Sequence, residues 1–345
     1  MGLSGGVDSA VAALLLKRAG CAVTGVTMTL WREGRYSGGC GDACFGPGEK
    51  EDVETARRVA DMLSIPYRTF DCSAEYEQAV IEYFRRERIA GRTPNPCIVC
   101  NSTMKFGLLP RKALAAGGFD FFATGHYVRK AALPGGRFAA AIAADAKKDQ
   151  SYFLCRLSQE QLAKALFPLG GYTKAQVRQI ARDAGFPVAD KPDSQDFYSG
   201  DENELLGVEP REGDIVDLSG RILGRHGGYW RYTVGQRQGL GIGGGIPYHV
   251  VRIDACANRV VVGRREDALA TRIEVEDVVW QATAPAAGRV EGRLKIRSTG
   301  APAGPAFYEN GAIEIPDGVF GVSPGQSAVL YSPSGEIILA GTIVR

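Results

Sequence analysis

The sequence lacks any run of about 18 consecutive apolar residues, so it predicts no transmembrane helix. Its amino terminus also lacks the basic and then apolar layout of a signal peptide. Neither sign of charge is in excess, since the formal net charge is only +2, and this balance neither demands nor excludes a nucleic-acid partner. Internal repeats and low-complexity tails are missing too. These absences predict a cytoplasmic protein with no membrane partner.

Eight cysteines are present, and a reducing compartment argues against a disulfide framework. Two close pairs, Cys40 with Cys44 and Cys97 with Cys100, instead indicate metal or sulfur chemistry. The other four are expected to be small buried hydrophobic residues: Cys21, Cys72, Cys155 and Cys256.

Strand and helix patterns alternate over the first half of the chain. Apolar, β-branched stretches alternate with amphipathic stretches of helical length, which predicts a parallel α/β sheet with right-handed crossovers. The predicted elements are a strand within 22–31, a helix within 49–65, a strand at 67–71, a helix near 74–90, a loop at 92–101, a helix near 102–116 and a strand at 119–125.

The second half of the chain changes character. A capping-box pattern at 173–176 opens one more helix. From about residue 213 onward the strands are short and broken by Gly, Pro and Asn, which predicts a small barrel or sandwich at the carboxyl end. We therefore divide the chain into an α/β domain at 1–200, a central β-rich domain at 201–268 and a carboxyl-terminal β-barrel at 269–345.

A glycine-rich loop, SGGVDS at 4–9, precedes a predicted helix at 10–19. Its glycines let the backbone approach an anion closely, its serines add hydroxyl donors, and the helix presents its positive end. The loop has no lysine, unlike the G-x-x-x-x-G-K-[ST] loop. Asp8 would repel a phosphate unless Mg²⁺ lies between them. The alternative is a Gly-Ser turn in which Asp8 caps the helix.

The buried strand that normally precedes such a loop is missing from the sequence as given. That strand would be central in the sheet, and without it two neighbouring strands would be left with unpaired backbone groups. We expect the strand to be encoded upstream of the assigned start. The alternative is a shortened chain with a damaged site.

The loop resembles the pyrophosphatase loop (PP-loop) of N-type ATP pyrophosphatases, which cut ATP between the α and β phosphates and adenylate a carbonyl oxygen. Five further stretches resemble tRNA-specific 2-thiouridylases in the family's order along the chain: RTPNPCIVCNSTMKF, ATGHY, KDQSYFL, KPDSQDF and YTVGQRQGLGIGG. The resemblance implies a Rossmann-like PP-loop domain of the adenine nucleotide α-hydrolase type, here lacking its first strand, then a β-rich tRNA-cleft domain and a β-barrel.

The resemblance also implies a reaction. The family replaces O2 of uridine 34, in the anticodon loop of tRNA, with sulfur. ATP adenylates O2, pyrophosphate leaves, and sulfur then attacks C2 and releases AMP. The implied cofactors are ATP and Mg²⁺, and the implied partners are tRNA and a sulfur donor such as a cysteine desulfurase or a relay protein.

Site residues follow from the motif match. Met28 and Gly125 are expected to line the adenosine site. The nucleotide's pyrophosphate is expected to lie against Gly2, Leu3, Ser4, Gly5, Gly6, Val7, Asp8 and Ser9. The expected tRNA contacts, to a base taken out of its stack, are Asn95, Pro96, Cys97, Lys148, Asp149, Gln150, Arg297 and Ser298.

Three further features of the sequence leave alternatives open. His126 and Tyr127 either pack at the loop or contact substrate. A basic helix is either a phosphate-binding face or a solvated surface; its arginines are Arg85, Arg86, Arg88 and Arg92. The same loop chemistry also occurs in argininosuccinate and GMP synthases, so a ligase is a competing hypothesis.

Cys100 matches the family's attacking thiol, and Cys97 and Asp8 complete the expected catalytic set. We expect a depressed pKa for Cys100 beside the adenylate. The chain departs from the family at Tyr198, where the commonest pattern has a persulfide cysteine, and at Cys97, where many members have Asp.

The departures leave three interpretations. Cys40 or Cys44 takes over the persulfide role. Alternatively, Cys40, Cys44, Cys97 and Cys100 hold an iron–sulfur cluster with three thiolates or a Zn²⁺ ion with four. In the third interpretation the thiols are incidental and the chain is a weakened or inactive tRNA-binding paralogue.

Overall fold

The computed structural model describes residues 1–38, 43–193, 196–243, 245–284 and 288–344. Cys40, a predicted metal ligand or persulfide carrier, lies outside the described residues. The strands in the first 200 residues are Gly25–Thr29 (β1), Ala43–Phe45 (β2), Tyr67–Asp71 (β3), Phe122–Ala123 (β4), Arg129–Leu133 (β5), Arg137–Ala141 (β6), Ala165–Leu166 (β7) and Asp196–Tyr198 (β8). The α-helices are Val7–Arg18 (α1), Glu49–Met62 (α2), Ser73–Tyr76 (α3), Glu82–Ile89 (α4), Pro96–Val99 (α5), Leu109–Gly117 (α6), Gln159–Lys164 (α7), Lys174–Asp183 (α8) and Glu202–Leu206 (α9).

The sheet that carries the glycine-rich loop is parallel. β1 pairs with β3, and β4 pairs with β7. Residues 1–3 lie between β1 and β4, where Gly2 N–H donates to the Ala123 carbonyl and Leu3 N–H donates to the Val26 carbonyl, each over 2.9 Å. Within residues 1–38, all of which the structure describes, α1 is preceded by no strand longer than these three residues. Three residues thus bridge the two neighbours, in contrast to the unpaired edges we expected.

The helices lie where the sequence patterns predict them, with one correction. A π-helical turn at Glu77–Ile81 joins α3 to α4, and another at Cys100–Leu108 joins α5 to α6. The segment expected to be a loop up to residue 101 is helical from Pro96. Asn95 is the N-cap, whose side-chain oxygen accepts from the Ile98 N–H over 3.3 Å, and proline suits the first helical position.

The remainder of the chain is β-structure, as predicted. A central four-stranded sheet has the order β10-β9-β12-β11, and the carboxyl-terminal strands close into a barrel in the order β13-β16-β15-β14-β17-β18. These strands are Gly213–Val216 (β9), Ile222–His226 (β10), His249–Asp254 (β11), Arg259–Gly263 (β12), Leu269–Trp280 (β13), Val290–Lys295 (β14), Ala303–Glu309 (β15), Ala312–Phe320 (β16), Ser327–Tyr331 (β17) and Ile337–Ile343 (β18).

The barrel shares a hydrophobic cluster with the α/β region. Tyr152 and Leu154 are fully buried in this cluster together with Tyr331 of β17. The Tyr152 hydroxyl donates to the Ser327 carbonyl over 2.8 Å, and the buried Gln281 amide donates to the Leu154 carbonyl over 3.0 Å. This seam fixes the barrel against the segment that follows β6. None of the helices in the described ranges has the length and apolar character needed to cross a membrane.

Candidate active site

The glycine-rich loop is held in shape by its own serines. Ser4 N–H donates to Ser9 Oγ over 3.1 Å, and the Ser9 hydroxyl donates to the Gly6 carbonyl over 3.0 Å. Gly5 has a φ of +74°, and a Cβ there would lie 2.4 Å from the Asp52 carbonyl oxygen, so only glycine fits. α1 begins at Val7 without a side-chain cap. The first N–H groups of α1 therefore have no capping side chain. Free N–H groups at a helix start favour the binding of an anion.

Lys174, at the first position of α8, is ion-paired with Asp8 of the loop. Its Nζ donates to both oxygens of Asp8 over 2.8 Å and to Asp193 over 2.7 Å. Tyr127 also donates to Asp8, over 2.7 Å. Burial and then the Asp8 charge raise the pKa of Tyr127 well above its usual range, so its hydroxyl stays protonated and donates. The carboxylate expected to face Mg²⁺ is thus neutralised by an ammonium group.

The ionic chain continues to Lys148, whose Nζ donates to the other oxygen of Asp193 over 2.7 Å. Burial acts to raise the pKa of Asp193, but the hydrogen bonds from Lys148 and Lys174 outweigh it and the pKa is lowered. Lys191 pairs with Asp52, and its Nζ lies 3.5 Å from the Gly5 carbonyl oxygen of the loop. The glycine-rich loop is therefore flanked by lysines from distant parts of the sequence.

Both residues expected at the adenosine lie near the ends of sheet strands. A Cβ on Gly125 would lie 2.7 Å from Ser9 N and 2.8 Å from Asp8 C, so the chain after β4 touches the loop. Met28 is half-buried in β1, opposite Phe70 of β3. His126, next to Gly125 in sequence, packs against the Phe106 ring with its Nδ1 2.8 Å from the Thr124 hydroxyl, and burial lowers its pKa to about 3. The imidazole is therefore neutral at physiological pH.

The expected catalytic cysteines lie on one helix that starts beyond the sheet. Cys97 is half-buried in α5 and Cys100 is buried at the start of the π-helical turn. Cys100 packs in one hydrophobic cluster with Leu30 and Cys72, which directly follow β1 and β3. The helix thus sits over the same sheet edge as the glycine-rich loop.

Our expectation of a depressed pKa at Cys100 is wrong for this structure. Burial raises the pKa of Cys100 to about 12, although the nearby Lys105 opposes the shift. Burial likewise raises the pKa of Cys97 to about 11. Desolvation penalises the thiolate more than one ammonium group can offset, so both thiols rest in the protonated form.

This protonation predicts how the thiols respond to pH. Because a thiol with a pKa near 11 or 12 is mostly neutral at pH 7, the thiolate fraction rises about tenfold for each pH unit up to that pKa. We expect the rate of Cys97 and Cys100 alkylation by iodoacetamide, followed by peptide mass spectrometry, to keep rising from pH 7 to pH 9.5. A plateau below pH 8 would contradict the burial argument. Cys21 provides the internal reference, because it is exposed, as is Cys256, whereas we expected both to be buried.

Cys44 and Tyr198 lie on paired strands. β2 runs parallel to β8, with Ala43 opposite Asp196 and Phe45 opposite Tyr198. Side chains alternate along a strand, so the exposed Cys44 takes the opposite face of this ribbon from Tyr198. The Tyr198 hydroxyl donates to Glu204 over 3.1 Å. After burial, the proximity of the Cys44 sulfur is a further and smaller cause of the raised pKa of Cys97 and Cys100.

Metal binding finds no support among the described cysteines. No group of three or more His, Cys, Asp or Glu residues within the described ranges is arranged to hold a metal ion. Cys44, Cys97 and Cys100 are in this searched set, whereas Cys40 falls outside it.

The segment 148–150 is built into the protein interior more than expected. The Asp149 carboxylate is 5% exposed, accepts from the Ser151 hydroxyl over 2.8 Å and pairs with Lys295 of β14 over 3.6 Å. Gln150 Oε1 accepts from the Tyr127 N–H over 2.9 Å. Together with the Lys148 pair, these contacts position the site, and direct contact with tRNA stays a prediction for the three residues.

The basic helix is largely neutralised by neighbouring acids. Arg85 pairs with Glu77 and Glu82, Arg88 with Glu202, and Arg92 with Glu87. Arg86 also pairs with Glu87, over 3.3 Å, although its side chain is 68% exposed. A cavity of about 350 Å³ opens where this helix meets α5 and the barrel, and Arg86, Arg92, Arg156 and Asn95 contribute to its lining. The described arginines of this helix therefore do not form a continuous phosphate-binding face by themselves.

Arg297 joins the central sheet region to the barrel. Its guanidinium donates to the Val234 carbonyl over 2.8 Å and to the Gly321 carbonyl over 3.0 Å. Ser298 is half-buried beside it. A tRNA contact by Arg297 and Ser298 stays a prediction.

Sequence reasoning missed Lys174 as a site residue. The capping box at 173–176 identified its helix, and both hydrogen bonds of that box are present. A signal was available, because a cation at the first position of a helix opposes the helix dipole. A lysine at that position indicates a nearby carboxylate partner, here Asp8.

Three family profiles match the chain consecutively. They are described as the tRNA methyl transferase HUP domain at residues 1–198, the tRNA methyl transferase PRC-barrel domain at 204–264 and the aminomethyltransferase beta-barrel domain at 270–344.

Curated proteins called tRNA-specific 2-thiouridylase MnmA are similar over most of their length. The one from Endomicrobium trichonymphae is 44% identical, with 100% of this chain and 98% of the relative covered. Those from Rhizobium meliloti and Lachnoclostridium phytofermentans are each 41% identical, covering 97% and 100% of this chain and 87% and 99% of the relatives. A solved NMN synthetase from Francisella tularensis is 18% identical, with 60% of this chain and 71% of that chain covered and a TM-score of 0.32.

Proposed function

Because the chain belongs to the family of tRNA-specific 2-thiouridylases, we propose that it is a tRNA-uridine 2-sulfurtransferase that makes 2-thiouridine at position 34 of tRNA. The observation that carries the proposal is the match at 41–44% identity over the full length of this chain and of its relatives. ATP is the co-substrate that the family implies. We propose further that the enzyme works in the cytoplasm, with catalysis in 1–200, a tRNA cleft in 201–268 and a barrel in 269–345.

The first chemical step activates the uridine. The glycine-rich loop and the amino end of α1 bind the phosphates of ATP, and Gly125 and Met28 flank the adenosine. The uridine O2 attacks the α-phosphorus, and pyrophosphate leaves. This step makes O2 part of a good leaving group, AMP. Asn95, Pro96 and Cys97, at the start of the cysteine-bearing helix, hold the target base.

Mg²⁺ would reach this site with the nucleotide, because phosphate oxygens are its usual ligands in nucleotide-binding proteins. Both oxygens of Asp8 are already bonded by Lys174, so the protein side of the site does not fit a resident Mg²⁺ ion. When bound to the nucleotide, Mg²⁺ neutralises phosphate charge.

The second step transfers sulfur. We assign Cys44 as the persulfide carrier, because it is exposed to a donor, lies on the strand paired with that of Tyr198 and acts electrostatically on Cys97 and Cys100. A persulfide donor passes its terminal sulfur to the Cys44 thiolate and leaves as a thiol. That sulfur, as an anion, adds to C2, the C2–O bond breaks, and AMP departs with the oxygen.

The third step frees the product. The thiolate of Cys100 attacks Cys44 Sγ in the C2–S–S–Cys44 adduct, and the 2-thiouridine leaves. A disulfide between Cys44 and Cys100 remains, and a dithiol reductant of the sulfur-donor system reduces it with two electrons. Cys100, buried and protonated at rest, becomes nucleophilic when it loses its proton to base or solvent.

The activity is tested by mass spectrometry of tRNA nucleosides after reaction with ATP, Mg²⁺ and a persulfide donor. The expected result is 2-thiouridine at position 34, with one AMP and one pyrophosphate formed for each. ATP turnover on a small amino-containing substrate would indicate a ligase instead, and tight tRNA binding without turnover would indicate an inactive paralogue.

The sulfur route is tested separately by Cys44→Ser. We expect thiolation to fall by about a hundredfold or more, and peptide mass spectrometry of the wild type after incubation with donor to find one added sulfur atom on Cys44. Tyr198→Phe is the matched control, with activity within about twofold, because it removes only the hydroxyl bonded to Glu204.

A metal-dependent route predicts a different outcome. Anaerobically purified protein would contain stoichiometric iron and sulfide, or zinc, and removal of the metal would stop thiolation. Such a result, or full activity of Cys44→Ser, would replace the persulfide assignment.

A further inference from the structure

Two polar side chains lie beside the cysteines without a bonding partner. Tyr76, at the end of α3, is 2% exposed, and Lys105 is half-buried in the π-helical turn that begins at Cys100. Within the described ranges, neither the Tyr76 hydroxyl nor the Lys105 ammonium group makes a hydrogen bond or an ion pair. A buried donor without a partner costs free energy, so both donors call for an explanation.

Tyr76 packs between the strand that carries Cys44 and the helix that carries Cys100. The ring of Phe45, the residue after Cys44, lies 5.2 Å from the Tyr76 ring, measured between centroids. Tyr76 and Cys100 belong to one hydrophobic cluster, and the π-helical turn that follows Tyr76 contacts both α5 and the turn at Cys100. Burial, and after it the proximity of Cys100, raises the pKa of Tyr76 well above its usual range. The hydroxyl therefore stays protonated and can donate.

Lys105 follows Cys100 by five residues within one π-helical turn. In an α-helix, residues five apart point about 140° away from each other around the axis. The i→i+5 hydrogen bonds of a π-helical turn bring such residues closer to one face. Burial acts to lower the pKa of Lys105, but the nearby sulfur atoms, first that of Cys100 and then those of Cys44 and Cys97, outweigh it and the pKa is raised. The fold thus keeps an ammonium group among three cysteines.

The proposed sulfur transfer places negative charge on sulfur twice. The terminal sulfur from Cys44 is an anion when it adds to C2, and Cys100 is a thiolate when it attacks Cys44 Sγ. Burial penalises a thiolate at this place, as the raised pKa of Cys100 shows. A cation and a hydroxyl donor that are already in position lower the energy of such an anion, because they need no reorganisation during the reaction.

We propose that the Tyr76 hydroxyl and the Lys105 ammonium group form an anion-stabilising site for the transferred sulfur and for the Cys100 thiolate. The inference rests on the proposed function, because it concerns the sulfur steps of that reaction. The hydroxyl donates a hydrogen bond and the ammonium group supplies positive charge. Neither residue gains or loses a proton or an electron, so the bonds that form and break in the two sulfur steps are unchanged.

Lys105→Met tests the ammonium group without tRNA. Loss of the positive charge should raise the pKa of Cys100 further, and alkylation of Cys100 by iodoacetamide at fixed pH should slow by about tenfold. Lys105→Arg should restore most of the rate, because it keeps the charge. A lysine that only packs would give the opposite sign, since a loosened helix exposes Cys100 and speeds its alkylation. Unchanged or faster alkylation in Lys105→Met would therefore overturn the assignment of Lys105.

Lys112→Met is the matched control for the loss of a lysine. It removes an ammonium group from α6, which directly follows the π-helical turn, and there Lys112 pairs with Glu75. We expect alkylation of Cys100 in this variant to stay within about twofold of wild type.

Tyr76→Phe tests the hydroxyl and keeps the ring that packs on Phe45. Because the hydroxyl has no partner in the described part of the chain, the variant should unfold at the wild-type temperature or slightly above it. Single-turnover thiolation by protein that already carries the Cys44 persulfide should fall by about tenfold or more in Tyr76→Phe and by about a hundredfold in Lys105→Met. Exchange of pyrophosphate into ATP, which reports adenylation, should stay within about threefold of wild type in both variants.

The outcomes separate this inference from the proposed function. Thiolation within about twofold of wild type in Tyr76→Phe would overturn the assignment of Tyr76. Equal losses of thiolation and of pyrophosphate exchange in either variant would overturn the anion-stabilising site, while a wild type that thiolates tRNA would leave the proposed function intact. A wild type that makes no 2-thiouridine would overturn the proposed function and this inference with it.

Discussion

Cys100→Ser is expected to reduce formation of 2-thiouridine by at least about a thousandfold, because a hydroxyl cannot resolve the sulfur adduct. Adenylation should survive, since Cys100 belongs to the hydrophobic cluster beyond β1 and β3 and not to the glycine-rich loop. We therefore expect tRNA-dependent exchange of pyrophosphate into ATP to stay within about threefold of wild type. Nucleoside mass spectrometry and radiolabelled pyrophosphate exchange measure the two steps independently.

Cys256→Ser is the control for this substitution, because Cys256 is exposed and lies in the turn between β11 and β12, away from the loop. It should leave both steps unchanged. If Cys100→Ser retained thiolation, the mechanism would need a different resolving thiol, and Cys97 on the same helix would be the first to examine.

Gly125→Ala is expected to weaken binding of an ATP analogue, one with a methylene bridge between the α and β phosphates, by about a hundredfold. The added Cβ would lie 2.7 Å from Ser9 N and 2.8 Å from Asp8 C, both backbone atoms that no rotamer change can move. The loop or the chain after β4 must shift, and such overpacking typically costs about 1–3 kcal/mol of folding free energy as well. Calorimetric titration and thermal unfolding measure the two effects.

Gly171→Ala is the matched control, since nothing lies within 4 Å of a Cβ there and its φ is not in the left-handed region. It should bind the analogue normally and unfold at the wild-type temperature or slightly above it. Normal analogue binding by Gly125→Ala would show that the loop tolerates displacement, and the close approach would then have no functional meaning.

Local patterns predicted much of the fold. The alternation of strands and helices gave the parallel sheet, and Thr173 with Gln176 forms the capping box that its sequence predicts. The helix start at Pro96 was missed because two prolines suggested a loop, although Asn95 followed by proline is itself a helix-start signal. β4 is only Phe122–Ala123, since tertiary contacts decide where a short strand ends.

The site was less predictable because its contacts are distant in sequence. Motif order suggested the loop and the cysteine helix, but no local pattern places Lys174 against Asp8. The protonated state of Cys100 depends on how deeply it is buried, which spacing cannot reveal. The pairing of β2 with β8 likewise arises from the folded chain, and it is what relates Cys44 to Tyr198.

The seam between residues 151–157 and the barrel has a consequence for modularity. Tyr152, Leu154 and Leu157 are buried against β17 and β18, and Asp149, next to Lys148 of the ionic chain, pairs with Lys295. A chain cut before the barrel would expose these side chains and leave the Asp149 carboxylate without its cation. We therefore expect the barrel and the nucleotide site to unfold as one cooperative unit, so that heating would give a single transition rather than two.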